Sequence, residues 1–228
     1  MTIRALILFG SRARGDETAE SDTDLLGWSD EAYPRRVSHG GLSLAMYPGE
    51  QLLRMARRGE LFIAHLVNEA LAVHDPEDLL SDLRTAYAAP SSYEAQIAAA
   101  SDLGWFLVDH HSLLPPHTVN ARAAWCARTI AIARTAERGP PVFSPAALAR
   151  TTEGATLTEL VAQRDAVVLD PRVPEVLGSY LTIHAHGRPL PPHSAVRRYA
   201  KLFEESANSF ASRTVRASGL RDEGEIYF

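Results

Sequence analysis

The sequence has very little cysteine and no long apolar run. Cys126 is its one cysteine, which excludes a disulfide within the chain and favours a reducing, cytoplasmic setting. It lies in AAWCARTIAIA, where we expect a buried, small apolar side chain rather than a reactive thiol. No apolar stretch approaches the roughly 20 residues that span a bilayer, so we expect no membrane partner. The N-terminal MTIRALILFG predicts a strand rather than a signal peptide.

An excess of positive charge is also absent. The formal net charge is −5, and Lys201 is the only lysine. Residues 1–92 carry nine basic and fourteen acidic side chains, whereas residues 93–228 carry fourteen of each. A general nucleic-acid binder shows a basic stripe, which this pattern does not provide. An acidic half suits divalent cations instead, although a local basic patch at Arg197, Arg198 and Lys201 leaves a tRNA partner open.

The pattern of apolar residues predicts an α+β fold. Short apolar or alternating runs predict strands at 3–9, 23–28 and 41–47, and three- and four-residue spacing predicts helices in 50–59, 60–73 and 76–89. Beyond Pro90 only helices are expected, the last of them over 194–217. The sequence therefore predicts a small mixed-sheet α/β domain at 1–90 and an all-helical bundle domain at 91–228.

Two aspartates begin the second predicted strand. Asp22 and Asp24 are two residues apart, so we expect their side chains to project from one face of that strand. Two unpaired carboxylates repel one another, and a divalent cation relieves this repulsion. Mg²⁺ prefers such oxygen ligands and shares its coordination shell with substrate phosphates. The pair is therefore predicted to bind metal, and it also suits two metal ions in phosphoryl transfer.

Gly10 and Ser11 follow the first predicted strand and begin a short predicted helix. A glycine there lets a phosphate group approach the backbone closely, and a helix start offers free N–H groups. Ser11 adds a hydroxyl donor and is also suited to capping that helix. The segment FGSRARGDETAESDTDLLGW thus predicts a phosphate-binding turn followed by a metal site, as a nucleoside triphosphate with Mg²⁺ requires.

The segment GSRARGDETAESDTDLLG resembles the signature of the DNA polymerase β-type nucleotidyltransferase superfamily, over residues 5–27. The shared pattern is Gly-Ser, a spacer of about ten residues and Asp-x-Asp, and Gly-Ser-x-Ala-Arg-Gly is similar to small bacterial members. The resemblance implies Gly10 and Ser11 at the triphosphate of an NTP. It also implies Asp22 and Asp24 as catalytic Mg²⁺ ligands. A small α/β domain followed by helices is similar to the kanamycin type of nucleotidyltransferase.

The third carboxylate of that superfamily is missing from the expected strand. GLSLAMY contains no Asp or Glu, and Ser43 or Ala45 occupies the expected position. A carboxylate from elsewhere replaces it, one well-held metal suffices with good substrate positioning, or the chain binds nucleotide without catalysis. The candidates for a replacement are Glu50, Glu60, Glu69, Asp102, Asp109 and Glu137.

These features predict a cytoplasmic, adenylyltransferase-like enzyme with Mg²⁺ as cofactor and an NTP as donor. It would transfer a nucleoside monophosphate to a hydroxyl or phosphate acceptor, on a small molecule such as an antibiotic or on a macromolecule, in a cleft between the domains. One alternative is a non-catalytic nucleotide-binding or toxin–antitoxin partner protein, and another is a modifier of protein or tRNA ends. The acceptor, the preferred base and a homodimer stay open.

Overall fold

The computed structural model describes residues 2–19, 21–151 and 154–217, and the chain divides into two compact units. The first unit ends at Ser91 and the second begins at Ser92. Each has its own secondary structure: the first unit combines a sheet with helices, and the described part of the second is helical. The fold is therefore α+β, as the sequence predicts.

A five-stranded mixed sheet is the centre of the first unit. Its strands are β1 (Ile3–Phe9), β2 (Thr23–Ser29), β3 (Arg35–His39), β4 (Leu42–Pro48) and β5 (Leu71–His74). They lie in the order β3-β4-β2-β1-β5. The β2–β4 pair is parallel and the other pairs are antiparallel. The strand that carries Asp24 is thus central and is hydrogen-bonded on both sides.

One face of this sheet is covered by helices. The helices of the first unit are α1 (Ser11–Arg14), α2 (Gly49–Arg57), α3 (Leu61–Glu69) and α4 (Leu79–Ala86). Ile7 of β1 and Leu26 of β2 are fully buried in one apolar cluster with side chains of α2, α3 and α4. Alternation along β2 places Asp24, Leu26 and Trp28 on this same face. The core of the first unit therefore continues directly into the predicted site.

Two of the five strands differ from the sequence-based expectation. Residues 60–73 were predicted to form one helix, but α3 ends at Glu69 and Leu71–His74 forms β5. Pairing with the edge of β1 satisfies the backbone groups of this segment, which outweighs its helical periodicity. β3 was not predicted because its residues are polar and exposed. It forms a hairpin with β4 through Gly40 and Gly41, whose φ angles of 54° and 77° suit a tight turn.

The second unit is an assembly of helices around the long α6. Its helices are α5 (Glu94–His110), α6 (Pro116–Arg138), α7 (Pro145–Leu148), α8 (Gly154–Ala162), α9 (Val173–His184), α10 (Val196–Glu205) and α11 (Ser209–Ala217), with a 3₁₀ turn at His111–Leu113. Cys126 of α6 is fully buried, and burial raises the pKa of its thiol. This confirms the prediction of a buried, small apolar side chain. Among the described residues, no helix combines the length and apolar character needed to cross a bilayer.

The predicted final helix over 194–217 is interrupted. Ala207 adopts a φ of 53°, and the Asn208 amide N–H donates to the Phe203 carbonyl at 2.8 Å, which ends α10. The Asn208 side chain then accepts the N–H of Ala211 at 3.2 Å and caps the start of α11. The interruption replaces one long helix by two that meet at this turn.

Candidate functional site

Asp22 and Asp24 lie where β2 begins. Asp24 is half-buried and Asp22, immediately before the strand, is exposed. In the described parts of the chain, neither carboxylate has an ion pair or a hydrogen-bond partner. Because Leu26 continues the face of Asp24 into the core, the Asp24 carboxylate lies at the end of a buried sheet face. Asp22 Oδ1 lies 3.8 Å from the position that a Cβ would occupy at Gly41, in the β3–β4 turn. The arrangement leaves two uncompensated carboxylates available to a cation.

Gly10 brings the backbone of the β1–α1 turn against Asp24. Phe9 is the residue opposite Asp24 in the β1–β2 pair, and Gly10 follows with a φ of 79°. A Cβ atom at Gly10 would lie 3.0 Å from Asp24 Oδ2, so the carboxylate would have to shift by a few tenths of an ångström to admit a side chain there. The two halves of the predicted site are therefore adjacent in space.

Ser11 is the first residue of α1 and does not cap it. The N-cap position belongs to Gly10, and no side chain hydrogen-bonds to the start of this helix. The first backbone N–H groups of a helix lack partners within it. The turn therefore presents backbone donors next to Asp24, and Ser11 adds a hydroxyl at the start of α1. This helix has only four residues and adds little helix dipole.

Arg14 anchors this turn to α3. Its guanidinium donates to Glu69 at 2.8 Å and to Asp16 at 3.1 Å, and its side chain is only 13% exposed. His65 contacts the same Glu69 carboxylate at 2.9 Å. Burial alone would raise the pKa of Glu69, but the hydrogen bonds from His65 and Arg14 hold it below its usual value. Arg14 thus links α1 to α3.

Ser43 is one of the two positions at which the third carboxylate was expected, and Ala45 is the other. Ser43 lies directly opposite Asp24 in the parallel β2–β4 pair, so the two side chains share a face. Arg36 of β3 donates to Ser43 Oγ from both Nε, at 3.1 Å, and Nη2, at 2.8 Å. A serine that accepts hydrogen bonds from a guanidinium therefore lies opposite Asp24, and neither expected position carries a carboxylate.

In the first unit, the carboxylates considered as replacements have other environments. Glu69 is held by Arg14, as described above. The Glu50 side chain is 92% exposed and lies 3.6 Å from Arg54. Glu60 is half-buried, and burial raises the pKa of its carboxyl. Among the described residues, no three His, Cys, Asp or Glu side chains come together as a candidate metal site.

In the second unit, two of the candidate carboxylates accept hydrogen bonds from side chains of that unit. Asp109 is almost fully buried and accepts hydrogen bonds from Arg188 at 2.7 Å and Tyr199 at 2.8 Å. Glu137 accepts one from Arg134 at 3.0 Å, and burial raises the pKa of Asp102. These contacts assign Asp109 and Glu137 to the packing of the helical unit.

Two residues of the site were not identified from the sequence. Arg36 belongs to a strand that the sequence did not predict, although the Gly40-Gly41 dipeptide before an alternating strand is a hairpin signal. The role of Arg14 depends on Glu69, which is distant in the chain, so no local sequence pattern predicts their contact. The site defined here combines a glycine turn, two strand carboxylates and an arginine–serine pair.

Similarity of this chain to known proteins is limited to solved structures. No protein-family model matches the chain, and no curated protein matches it. Among solved structures, it is similar to a nucleotidyltransferase-like protein from Exiguobacterium sibiricum 255-15, with 15% identity and a TM-score of 0.30. That alignment covers 98% of this chain and 90% of the other. A TM-score this low assigns neither fold nor activity, so the interpretation of the site depends on its own geometry.

Proposed function

We propose that the chain is a nucleotidyltransferase that uses an NTP with Mg²⁺ and releases pyrophosphate. The observation that carries this proposal is the approach of Gly10 to Asp24, where a Cβ would lie 3.0 Å from Oδ2. It joins a turn suited to phosphate groups with a pair of carboxylates suited to a metal ion. An NTP–Mg²⁺ complex needs both in one place.

The residues of the first unit divide the work of binding the donor. Gly10 and Ser11 hold triphosphate oxygens through backbone N–H groups and the hydroxyl. Asp22 and Asp24 hold Mg²⁺, which would neutralise charge on the reacting phosphate and the leaving pyrophosphate. The two carboxylates fit this ion because they are two residues apart at the start of β2 and have no protein cation as a partner in the described residues.

The reaction follows from this placement. An acceptor oxygen attacks the α-phosphorus and forms a new P–O bond, while the bond to the bridging oxygen of the β-phosphate breaks. The nucleoside monophosphate is then attached to the acceptor, and pyrophosphate carries away the electron pair. Chemistry of this kind depends mainly on positioning and on electrostatic stabilisation, which the turn and the two carboxylates supply.

The test is replacement of each aspartate. Asp22→Asn and Asp24→Asn preserve side-chain size and remove the charge that binds metal. We expect each variant to lose Mg²⁺-dependent NTP binding and pyrophosphate release. Asp82→Asn is the matched control, because Asp82 is an exposed aspartate of α4. Turnover of the Asp24→Asn variant equal to that of the control would reject the proposal.

A second candidate is nucleotide binding without transfer, as in a toxin–antitoxin partner protein. The presence of Ser43, instead of a carboxylate, opposite Asp24 is the observation that favours it. This candidate predicts Asp24-dependent binding of NTP and Mg²⁺ with no pyrophosphate release for alcohol, phosphate or carboxylate acceptors. Pyrophosphate release with any one of these acceptors would reject binding without transfer and support the nucleotidyltransferase.

A further inference from the structure

The pairing of Arg36 with Ser43 creates a cationic group beside the metal-binding carboxylates. Ser43 is 6% exposed and lies one strand spacing, about 4.8 Å, from Asp24. Arg36 aligns with Ala45 of β4, so alternation places it on the same sheet face as Ser43. Its two hydrogen bonds to Ser43 Oγ fix the guanidinium on that face.

This pair retains unused hydrogen-bond donors. Ser43 Oγ accepts two N–H groups from Arg36, so its own O–H is available to donate, and Arg36 keeps further N–H groups. Within the described ranges, no carboxylate forms an ion pair with Arg36. The pair therefore presents one positive charge and several convergent donors, which suit an oxyanion.

The strands β3 and β4 add no carboxylate or imidazole to the face that carries Asp24. The side chains that β3 and β4 place on it are those of Arg36, Ser38, Ser43, Ala45 and Tyr47. A hydroxyl acceptor must lose its proton during attack and benefits from a general base. A phosphate monoester or a carboxylate is already deprotonated near neutral pH and needs none.

We propose that the acceptor of this site is such an oxyanion, a phosphate monoester or a carboxylate, and that Arg36 and Ser43 bind it. The proposal rests on the function proposed above. One acceptor oxygen attacks the α-phosphorus of the NTP, the bond to the β-phosphate oxygen breaks, and pyrophosphate leaves. The product is a phosphoanhydride or an acyl phosphate linked to the nucleoside. No proton is transferred when the acceptor enters as its anion.

The test measures where an anion binds, apart from turnover. The full-length protein is loaded with Mn²⁺ and a non-hydrolysable NTP analogue, which occupies the Gly10–Ser11 turn. Inorganic phosphate and, separately, acetate are added as probes. Paramagnetic relaxation of phosphorus or carbon nuclei by Mn²⁺ reports binding near Asp22 and Asp24, and electron paramagnetic resonance reports Mn²⁺ binding itself.

The variants compare two neighbouring arginines. Arg36→Gln removes the charge on the site face, whereas Arg35→Gln removes an exposed charge that alternation places on the opposite face. We expect affinity for the probe to fall about tenfold or more in Arg36→Gln, since a charged hydrogen bond is lost. Arg35→Gln and wild type should agree, and Arg36→Lys should recover part of the affinity because it restores the charge.

The outcomes separate the two proposals. If the nucleotide analogue and Mn²⁺ do not bind to wild type, the proposed function fails and this inference fails with it. If they bind but neither probe is relaxed, or the probe affinity of Arg36→Gln equals that of wild type, only the oxyanion acceptor is overturned. Relaxation of phosphate alone assigns a phosphate monoester, and relaxation of acetate alone assigns a carboxylate.

Transfer assays give an independent decision. Ethyl phosphate and ethanol have the same carbon skeleton and differ in the acceptor group, and acetate adds the carboxylate. With ATP and Mg²⁺, we expect pyrophosphate release to exceed the background hydrolysis rate with an oxyanion and not with ethanol. A higher rate with ethanol than with both oxyanions overturns the inference and leaves the donor site unaffected.

Discussion

Gly10 is subject to two constraints at once. Its φ of 79° lies in the left-handed region, and a Cβ would lie 3.0 Å from Asp24 Oδ2. We expect Gly10→Ala to lower the free energy of unfolding by about 1–3 kcal/mol. It should also weaken binding of the nucleotide–metal complex, because the added methyl group displaces the carboxylate. Urea unfolding and a nucleotide titration in the presence of Mn²⁺ measure the two effects.

Gly15 provides the matched control for Gly10. Its φ is 75°, yet a Cβ there meets nothing within 4 Å. Gly15→Ala should therefore have a similar backbone cost and leave nucleotide affinity unchanged. Equal affinities for the two variants would show that the contact of Gly10 with Asp24 has no part in binding.

Glu69 makes the stability of the first unit dependent on pH. Hydrogen bonds from His65 and Arg14 hold its pKa below the ordinary 4.5 despite burial. The ionised carboxylate thus stabilises the fold above pH 4.5, and this contribution is lost as the pH falls through the lower pKa of the folded state. Glu69→Gln should lower the free energy of unfolding at neutral pH by about 1–3 kcal/mol.

Urea unfolding over a series of pH values tests this expectation. The stability of Glu69→Gln should decline less below pH 4.5 than that of wild type, because the titrating group is absent. Glu50→Gln is the control, since the Glu50 side chain is 92% exposed. An acid-induced decline in Glu69→Gln as steep as in wild type would contradict the assigned role.

At the residue scale, the sequence could predict those parts of the site whose residues are close together in the chain. Asp24 belongs to β2, and strand alternation alone places it on the face of Leu26, whereas Asp22 lies immediately before the strand. Gly10 and Ser11 could be linked to them through the spacing of the resembled signature. Arg36 could not, because its place beside Ser43 depends on the register of a polar hairpin that no apolar pattern specifies.

At the scale of elements, the turn between α10 and α11 gives two variants with opposite expected effects. Ala207 adopts a φ of 53°, so Ala207→Gly should raise the free energy of unfolding by up to about 1 kcal/mol. Asn208 caps α11 and donates to the Ala99 carbonyl at 2.8 Å. Asn208→Ala should lower stability by about 1–3 kcal/mol.

Thermal unfolding of both variants measures these effects, with circular dichroism confirming that helix content is retained. If Ala207→Gly is less stable than wild type, the left-handed conformation is not the strain that limits this turn. An unchanged midpoint in Asn208→Ala would show that the cap and the bond to Ala99 contribute nothing measurable.

The elements that the sequence predicted well are those with strong apolar patterns. β1, β2 and β4 have apolar runs or alternation, and α5 and α6 have long helical periodicity. The segment Leu71–His74 continues an apolar helical pattern, and only the free edge of β1 makes it a strand. Such pairing joins segments that are distant in the chain, so local propensity does not predict it.

At the scale of the whole molecule, the donor complex should stabilise the protein by mass action. At about 100 times its dissociation constant, a ligand adds about 2.7 kcal/mol to the folded state. For a protein of this size we expect the Tm of the wild type to rise by about 5–10 °C with a non-hydrolysable NTP analogue and Mg²⁺. Differential scanning fluorimetry measures this shift.

The same measurement on variants identifies the source of the shift. Asp24→Asn should show little or no rise, whereas the exposed Asp82→Asn should match the wild type. A full rise in Asp24→Asn would place the nucleotide somewhere other than the β1–α1 turn. An equal rise with Mg²⁺ alone would indicate that the metal binds without the nucleotide.

The central position of β2 has a consequence for insertions and deletions. Asp24, Leu26 and Trp28 occupy alternate positions of one strand, so a single residue added between Asp24 and Leu26 would turn the aspartates away from the face that Leu26 buries. The connection 16–18 lies outside the sheet, so it has no alternation of side chains that an inserted residue could disturb. A change of length in this connection would leave the register of β2 intact, whereas one within the strand would not.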